Sequence, residues 1–366
     1  MSVIEQGRAA HALPVLSRSE RLPVAVPPPA PEHVRAEGLL RDSHGRVIRD
    51  LRLSLTDRCN FRCLYCMDPD VAFASPDSVL ASAELVRVGQ VLAGLGIRKI
   101  RLTGGEPTLH PDLCMIAAEL RASTDCEVAL ITNGSRGGRR EVAAWRQAGI
   151  GRVTVSLDTL REERFGQIAR ARGSVSDVIA CIEHCLAEGL APVKVNAVLL
   201  RGVNDDEAVD FARLARRLGI EMRFIEYMPL DSARSWNSQR WVPASETRAA
   251  IHAVHPLAPA ERDDPSATAC THQFADGAPG RIGFIAPVSS PFCGACSRLR
   301  VTADGKVRPC LFSTTEWDLR PLLRGGASEA DLRTLLIDAA WSKQAGHGIS
   351  SPGFAQPDRP MSAIGG

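Results

Sequence analysis

Short apolar stretches alternate with amphipathic ones from about residue 50 of the chain onward. The apolar stretches predict six β-strands, at 51–55, 99–102, 128–131, 153–157, 193–200 and 222–225. Helical spacing of apolar residues predicts helices near 81–95, 112–121, 139–148, 176–188 and 205–218. This alternation with short connections is typical of a parallel sheet, either doubly wound or an incomplete (β/α) barrel, and periodicity does not decide between the two.

The two ends of the chain lack this alternation. Residues 1–42 include a proline-rich stretch at 26–31 and are predicted to be a disordered extension. Residues 255–280 are rich in Pro, Ala, Asp and Gly and are predicted to be a loop or insertion. A helix is predicted near 327–341. We therefore expect a main domain at 43–240, a smaller one at 241–345 and a flexible tail at 346–366 that ends in two glycines.

Glycines and polar residues follow each predicted strand. A Thr-Gly-Gly-Glu-Pro run at 103–107 follows the second strand, Thr-Asn-Gly at 132–134 follows the third, and Asp158 follows the fourth. Gly and Asn are also ordinary turn residues. Because sites in α/β folds form at the carboxyl ends of strands, six such loops favour one shared site there.

Composition and charge exclude several classes of protein. Of 366 residues, 45% are hydrophobic and 23% are charged, which excludes collagen-like and wholly disordered chains. The net charge of +2 is far below the basic excess of most duplex-binding proteins, so no specific nucleic-acid partner is expected. Without an apolar run of about 20 residues or a signal pattern, a cytoplasmic protein with no membrane contact is expected.

Cysteine is the residue type that points to chemistry. Of 11 cysteines, six fall into two groups of three, Cys59, Cys63 and Cys66 in a C-x3-C-x2-C run and Cys293, Cys296 and Cys310 further along. Structural zinc takes four protein ligands, and no fourth Cys or His lies near the first group. Three thiolates suit a [4Fe-4S] cluster with one open iron. The five scattered cysteines are predicted to be small core residues.

The second cysteine group allows two interpretations. Its spacing alone fits part of a zinc ribbon, with His272 as a fourth ligand. Arg298 and Arg300, however, lie between its cysteines on one face of an extended segment. Arginines beside an incompletely ligated cluster would suit an anionic, planar substrate, whereas without the cysteines they would be a solvated charged face.

These motifs resemble a known family. The C-x3-C-x2-C spacing with Tyr65 before the last cysteine resembles the signature of radical S-adenosylmethionine (SAM) enzymes, and the run at 103–107 resembles their SAM-binding motif. From residue 48 to the terminal Gly365-Gly366, the order of motifs is similar to the GTP 3′,8-cyclase family of molybdenum cofactor biosynthesis. The fold thereby implied is α/β, an incomplete (β/α)6 TIM-type barrel with a smaller C-terminal iron–sulfur domain that binds GTP.

The resemblance also implies an activity and a set of site residues. The activity is the radical cyclisation of GTP to (8S)-3′,8-cyclo-7,8-dihydroguanosine 5′-triphosphate, a lyase reaction with two [4Fe-4S] clusters held by the two cysteine groups. The implied SAM contacts are Tyr65, Gly105, Ser156 and Met228. The implied GTP contacts are Arg52, Arg101, Thr132, Lys194, Arg298, Leu299 and Arg300.

The implied partners are an external electron donor, a second copy of the chain in a homodimer, and cyclic pyranopterin monophosphate synthase as the consumer of the product. The Gly-Gly tail is expected to reach into the site. Arg308-Pro309 before Cys310 departs from the family pattern. Two alternatives remain, a peptide-modifying radical SAM enzyme and a binding module with two zinc sites.

Overall fold

The computed structural model describes residues 27–231, 234, 236–261, 264–349, 351 and 354–365. Its strands, in chain order, are β1 Asp50–Ser54, β2 Lys99–Thr103, β3 Glu127–Thr132, β4 Arg152–Ser156, β5 Lys194–Leu199, β6 Glu221–Glu226, β7 Leu257–Pro259, β8 Cys270–Phe274, β9 Arg281–Ile285, β10 Arg298–Val301, β11 Lys306–Arg308 and β12 Trp317–Asp318. The six predicted strands are β1 to β6, and each predicted bound lies within one residue of the observed one.

The helices cover the outer face of these strands. They are α1 Glu32–Glu37, α2 Ser82–Gly94, α3 Leu113–Ser123, α4 Arg139–Gln147, α5 Glu162–Ala169, α6 Val175–Ala187, α7 Ala208–Leu218, α8 Ala244–Val254, α9 Arg320–Arg324 and α10 Glu329–Trp341. Ser174 caps α6 by accepting a hydrogen bond from the Asp177 amide at 3.0 Å, and Gly189 beyond its end has a φ of +69°. None of the described helices is long and apolar enough to cross a membrane.

All twelve strands belong to one sheet, ordered β12-β11-β10-β1-β2-β3-β4-β5-β6-β9-β8-β7. Neighbours from β10 to β9 are parallel, and the outer pairs on both sides are antiparallel. Because β12 and β7 are the two ends of this order, the sheet is an incomplete barrel rather than a closed one. The predicted α/β fold is confirmed.

The C-terminal region extends the main sheet. β10 pairs with β1, and β9 pairs with β6, both in parallel. The strands after residue 240 therefore cover both edges of the six-stranded sheet, edges that would otherwise leave backbone groups unpaired. The division into domains near residue 240 stays a prediction, and no break in the sheet marks it.

Side-chain alternation along the central strands separates two environments. Leu51, Leu53, Ile100 and Leu102 are fully buried against the helices. Because successive strand residues point to opposite faces, the residues between these leucines and isoleucines point inward. Many inward positions are charged, such as Arg52 and Arg101, and they share the interior with apolar side chains such as Ile131.

Two predictions about irregular segments are wrong in part. Residues 27–42 are not disordered, since α1 buries Val34, and Asp338 of α10 accepts hydrogen bonds from the Ala30 amide and Arg35 at 2.9 Å. Residues 1–26 lie outside the described residues. The predicted loop at 255–280 contains the β7–β8 hairpin, and in that hairpin Cys270 is exposed rather than buried in the core as predicted.

Candidate active site

The inward faces of the strands line a cavity of about 690 Å³. Its size lies within the range of small-molecule sites. All but one of the predicted site residues line it, namely Arg52, Cys59, Cys63, Tyr65, Cys66, Arg101, Gly105, Thr132, Ser156, Lys194, Met228, Cys293, Cys296, Arg298, Arg300 and Cys310. Residues from both halves of the chain therefore meet in one site.

Leu299 is the predicted GTP contact whose side chain lies elsewhere. It is fully buried in the apolar core, whereas its neighbours Arg298 and Arg300 line the cavity. Strand alternation explains the difference, because residues adjacent in a β-strand point to opposite faces. The Leu299 side chain thus supports β10 from behind, and its implied place among the GTP contacts stays a prediction that its side chain does not support.

The two cysteine groups lie at opposite ends of two neighbouring strands. Cys59 follows the carboxyl end of β1, while Cys296 precedes the amino end of β10, which is parallel to β1. Cys310 joins Cys296 because β11, which ends just before it, runs antiparallel to β10. With a rise of about 3.3 Å per residue, the length of β1 places the two ends of the cavity on the order of 15 Å apart.

A belt of cations extends from the amino ends of the strands to their middle. The sequence pattern predicted one site at the carboxyl ends of the strands. Lys194 and Arg298 instead begin their strands, and Arg52 and Arg101 are the middle residues of theirs. Sequence reasoning missed further inward charges at this level, namely Lys99, Arg152, Arg223 and Arg281. The signal was present as charged residues two positions apart, such as Lys99 and Arg101, in strands that helices cover on the other face.

Arginines in this belt crowd one another. Burial and the nearby Arg300, Arg101 and Arg298 lower the pKa of Arg52 well below its usual value. Burial and Arg298 lower the pKa of Arg300 to about 9. The buried Nε of Arg52 has no hydrogen-bond partner among the described residues. Asp50, which pairs with Arg101 at 3.3 Å, offsets this positive charge only in part, and a bound polyanion would offset more of it.

Two cations in another part of the belt, Lys194 and Arg223, share the carboxylate of Glu221. Glu221 lies 3.2 Å from Lys194 Nζ and also pairs with Arg223. Burial and the positive charge of Arg223 lower the pKa of Lys194 to about 8, despite its pairing with Glu221. Lys194 therefore holds a positive charge that is easily lost above neutral pH.

The glycine-rich loop after β2 packs directly against the first cysteine loop. The Gly105 amide donates to Thr56 O at 2.7 Å, and the Glu106 amide donates to Arg58 O at 2.8 Å. A Cβ on Gly105 would lie 2.6 Å from both Arg58 C and Asp57 O. Only glycine fits this approach, so Gly105 positions the loop that carries Cys59 in addition to lining the cavity.

Glu106 is the buried anchor of this end of the site. Its carboxylate accepts hydrogen bonds from the hydroxyls of Thr108 and Thr132 and from the amide of Asn133, each at 2.7 Å. Burial nevertheless raises its pKa. The Thr132 hydroxyl, which also accepts a hydrogen bond from the Gly134 amide at 3.1 Å, is thus held within the protein at the carboxyl end of β3.

Tyr65 and Asp158 link the first cysteine loop to the middle of the sheet. The Tyr65 hydroxyl donates to Asp158 Oδ2 at 2.7 Å, and the Val198 amide donates to Asp158 Oδ1 at 2.8 Å. Burial raises the pKa of Asp158 to about 6. Ser156 and Met228 line the same end of the cavity, where Met228 packs on a small apolar cluster that includes Ile364 of the tail.

The second cysteine group lies in a cationic environment. Arg298 Nη2 donates to Cys296 Sγ at 3.1 Å and lies over the ring of Phe292. Burial alone would raise the pKa of Cys296, but the positive charges of Arg298 and Lys343 have the larger effect and lower this pKa to about 7. Arg46 donates to Cys293 O at 2.6 Å, a link between distant segments that the sequence did not reveal.

The donor sets fit a polynuclear cluster better than single zinc ions. Within the described ranges, no three His, Cys, Asp or Glu side chains converge closely enough to hold one metal ion. His272, the candidate fourth zinc ligand, packs its ring against Phe284 at 5.4 Å and does not line the cavity. Thiol ligands in groups of three, open to a shared cavity, are the donor chemistry of a [4Fe-4S] cluster with a free iron.

The tail enters the cavity between the two cysteine groups. Arg300 donates a hydrogen bond to the carbonyl of Gly365, and Met361 and Ser362 line the cavity. Gly365 has a φ of +75°, and a Cβ there would overlap Ser54 Oγ at the end of β1. This position agrees with the expected reach of the tail, while Gly366 lies outside the described residues.

Comparisons with solved structures agree on the fold. Streptococcus suis SuiB bound to S-adenosylmethionine matches with a TM-score of 0.55 at 13% identity, over 87% of this chain and 76% of that chain. Tagged anSMEcpe with bound AdoMet matches with a TM-score of 0.53 at 14% identity, over 79% of this chain and 77% of that one. At these identities the similarity establishes the fold alone.

Sequence comparisons identify the family as well as the fold. The family model of the radical SAM superfamily matches residues 53–215, and that of Molybdenum Cofactor Synthesis C matches residues 220–349. A Streptomyces coelicolor protein named GTP 3′,8-cyclase is 44% identical over 90% of this chain and 96% of its own length. A Mycolicibacterium smegmatis protein of the same name is 44% identical over 98% of this chain and 99% of its own length. With this identity along nearly the whole of both chains, the chain belongs to the GTP 3′,8-cyclase family of radical SAM enzymes.

Proposed function

We propose that the protein cyclises GTP to (8S)-3′,8-cyclo-7,8-dihydroguanosine 5′-triphosphate, the first step of molybdenum cofactor biosynthesis. The reaction joins ribose C3′ to guanine C8. The observation that carries the proposal is the cavity itself, where two three-cysteine groups lie at opposite ends and a belt of cations lies between them. The names of the relatives support the same substrate and reaction.

Each cysteine group would hold one [4Fe-4S] cluster. Cys59, Cys63 and Cys66 would hold the cluster that binds SAM, with Tyr65, Gly105, Ser156 and Met228 around the SAM molecule. When bound, the first cluster and SAM together supply the reductive cleavage of SAM, which yields a carbon radical. Cys293, Cys296 and Cys310 would hold the second cluster.

The cation belt would bind the triphosphate. GTP carries about four negative charges, and Arg52, Arg101, Lys194, Arg298 and Arg300 face the same space. Bound phosphates would relieve the repulsion among the arginines and give the orphan Nε of Arg52 an acceptor. Thr132 lies at the other end of the strands with its hydroxyl bound to Glu106, so its proposed contact with GTP rests on the family resemblance alone.

The chain's remaining task is to orient the substrate and exclude water. The tail covers the cavity with Met361, Ser362 and the backbone of Gly365, and a small apolar cluster seals it beside Met228. Orientation of reacting atoms within a closed site can contribute several powers of ten to a rate. We further propose a cytoplasmic homodimer that receives electrons from an external donor and passes its product to cyclic pyranopterin monophosphate synthase.

An anaerobic assay of the reconstituted protein with SAM, dithionite and GTP, read by mass spectrometry, tests this function. We expect 5′-deoxyadenosine together with an isomer of GTP. A triple Cys→Ala variant at 293, 296 and 310 should contain half the iron and still cleave SAM, but leave GTP unchanged. If the wild-type protein with both clusters cleaves SAM without changing GTP, the substrate is wrong. If it does neither, the radical SAM function is wrong.

A further inference from the structure

We propose that an arginine surface around the first cysteine loop docks a small acidic protein that delivers one electron to the site. The surface consists of Arg58, Arg62, Arg136, Arg139, Arg140 and Arg170. The proposal deepens the proposed function and rests on it, since a radical SAM enzyme consumes an electron from outside. In the step, the carrier loses one electron and the centre held by Cys59, Cys63 and Cys66 gains it.

The six arginines come from three segments that touch one another. Asn60 Nδ2 donates to Ser135 Oγ at 2.8 Å, which places Arg136 beside the cysteine loop. The Arg62 amide donates to Ala169 O at 2.8 Å, which places Arg170 on its other side. Within the loop, the guanidinium groups of Arg58 and Arg62 lie 6.0 Å and 5.0 Å from the ring centre of Phe73.

These arginines lack ion-pair partners. Five of the six are exposed, Arg62 is half-buried, and none forms an ion pair with a described residue. By contrast, Arg161 and Arg164, at the start of the helix that Arg170 follows, both pair with Asp206. The carboxylates of Asp57 and Asp68 in the cysteine loop instead accept hydrogen bonds from the Ala74 and Asp70 amides. The surface therefore keeps unneutralised positive charge.

Three of the positions are unfavourable for an arginine in local structural terms. Arg139 and Arg140 are the first two residues of α4, where the helix dipole favours acidic side chains. Arg170 has a φ of +47°, in the left-handed region that glycine or asparagine usually occupies. Residues that break local rules without a structural gain are expected at functional surfaces.

An acidic carrier fits this surface better than other polyanions. The net charge of the whole chain is only +2, so the cluster of arginines is a local feature rather than a general basic excess. The surface includes Arg58 and Arg62, which are part of the cysteine loop itself, so a docked carrier would lie against the centre that needs the electron. A shallow cleft lined by Thr108, Ser135, Arg136, Gly138, Glu141 and Trp145 adds a concave contact.

The test compares two charge-reversed triple variants of the reconstituted enzyme. R136E/R139E/R140E changes the arginine surface, and because two of its glutamates begin α4, the dipole favours its folding. R213E/R217E/R248E changes exposed arginines on α7 and α8 and gives the same change in net charge. The probes are a reduced flavodoxin and a reduced plant-type ferredoxin, both acidic, with titanium(III) citrate as a chemical reductant.

Calorimetry measures the dissociation constant for each carrier, and stopped-flow measures the rate of electron transfer. We expect the first variant to bind at least about tenfold more weakly than wild type at low salt, and the second to change far less. Salt should weaken wild-type binding. All three proteins should remain active with titanium(III) citrate, and loss of that activity in wild type would contradict the proposed function instead.

Three outcomes overturn the docking proposal. One is that each carrier binds the two variants with the same dissociation constant. Another is wild-type protein that is active with titanium(III) citrate but accepts no electrons from either carrier. The third is a first variant that loses affinity for single-stranded RNA while its electron transfer is unchanged, which would assign the surface to nucleic acid.

Discussion

Replacing Gly105 by alanine tests whether the glycine-rich loop positions the first cysteine loop. The added Cβ would lie 2.6 Å from Arg58 C and Asp57 O, whereas ordinary contact begins at 3.4 Å. Both atoms belong to the backbone, so no side-chain rotation can relieve the overlap. The segment before Cys59 must therefore move by roughly 1 Å, because a non-bonded approach this short is not sustained in a packed interior.

The expected losses of stability and activity follow from that displacement. Overpacking of this kind costs about 1–3 kcal/mol of unfolding free energy. A misplacement of about 1 Å in a positioned reacting group lowers activity on the order of 100-fold. We expect Gly105→Ala to lose iron from the first site selectively, because the displaced segment leads directly into Cys59.

The assays are iron content, electron paramagnetic resonance of the reduced protein, and the rate of 5′-deoxyadenosine formation. Gly166→Ala is the matched control, since a Cβ at this position in α5 meets nothing within 4 Å. Alanine there should leave activity unchanged and stabilise the helix by up to about 1 kcal/mol. If Gly105→Ala keeps wild-type iron content and rate, the close approach of the two loops does not position the cysteines.

Three further predictions concern other parts of the molecule. Because the pKa of Lys194 is lowered to about 8, its charge is lost as the pH rises through that value, so KM for GTP should increase above it, and Lys194→Arg should abolish the increase. Arg359 pairs with Asp304 and Glu316 at 2.8 Å, so Arg359→Ala should make the tail roughly tenfold more sensitive to limited proteolysis, with Asp304→Asn acting in the same direction. Asp338→Ala removes the partner of Arg35 and the Ala30 amide and should lower the free energy of unfolding in urea by about 1–3 kcal/mol; an unchanged value would contradict the docking of α1.

The central fold could be predicted from the sequence because its signals are local. Six apolar strands with helices between them specify a parallel sheet, and β1 to β6 follow that pattern. Pairings over long sequence distances could not be predicted in this way. The parallel pairing of β10 with β1 joins residues almost 250 apart, and the docking of α1 on Asp338 joins residues about 300 apart, as Arg35 and Asp338 show.

The same contrast between local signals and long-range structure applies to the candidate site. The cysteine groups and the loop at 103–107 could be found because their residues are close in sequence and carry specific chemistry. The cation belt was found only in part, because Arg152 or Arg223 is an ordinary strand residue until the sheet curves and turns it inward. That the Leu299 side chain lies in the core could not be predicted, because a motif gives the order of residues but not the face on which each side chain lies.

Because β1 and β10 pair in parallel, the length of β1 sets the distance between the two cysteine groups. One cysteine group leaves the carboxyl end of β1 and the other enters at the amino end of β10, so the number of residues in β1 fixes the span between them. One inserted residue would lengthen this span by about 3.3 Å and also turn every later side chain of the strand to the opposite face. An insertion that changes the distance between the two centres and keeps the inward side chains inward must therefore add an even number of residues, so the length of β1 and the facing of its side chains are constrained together.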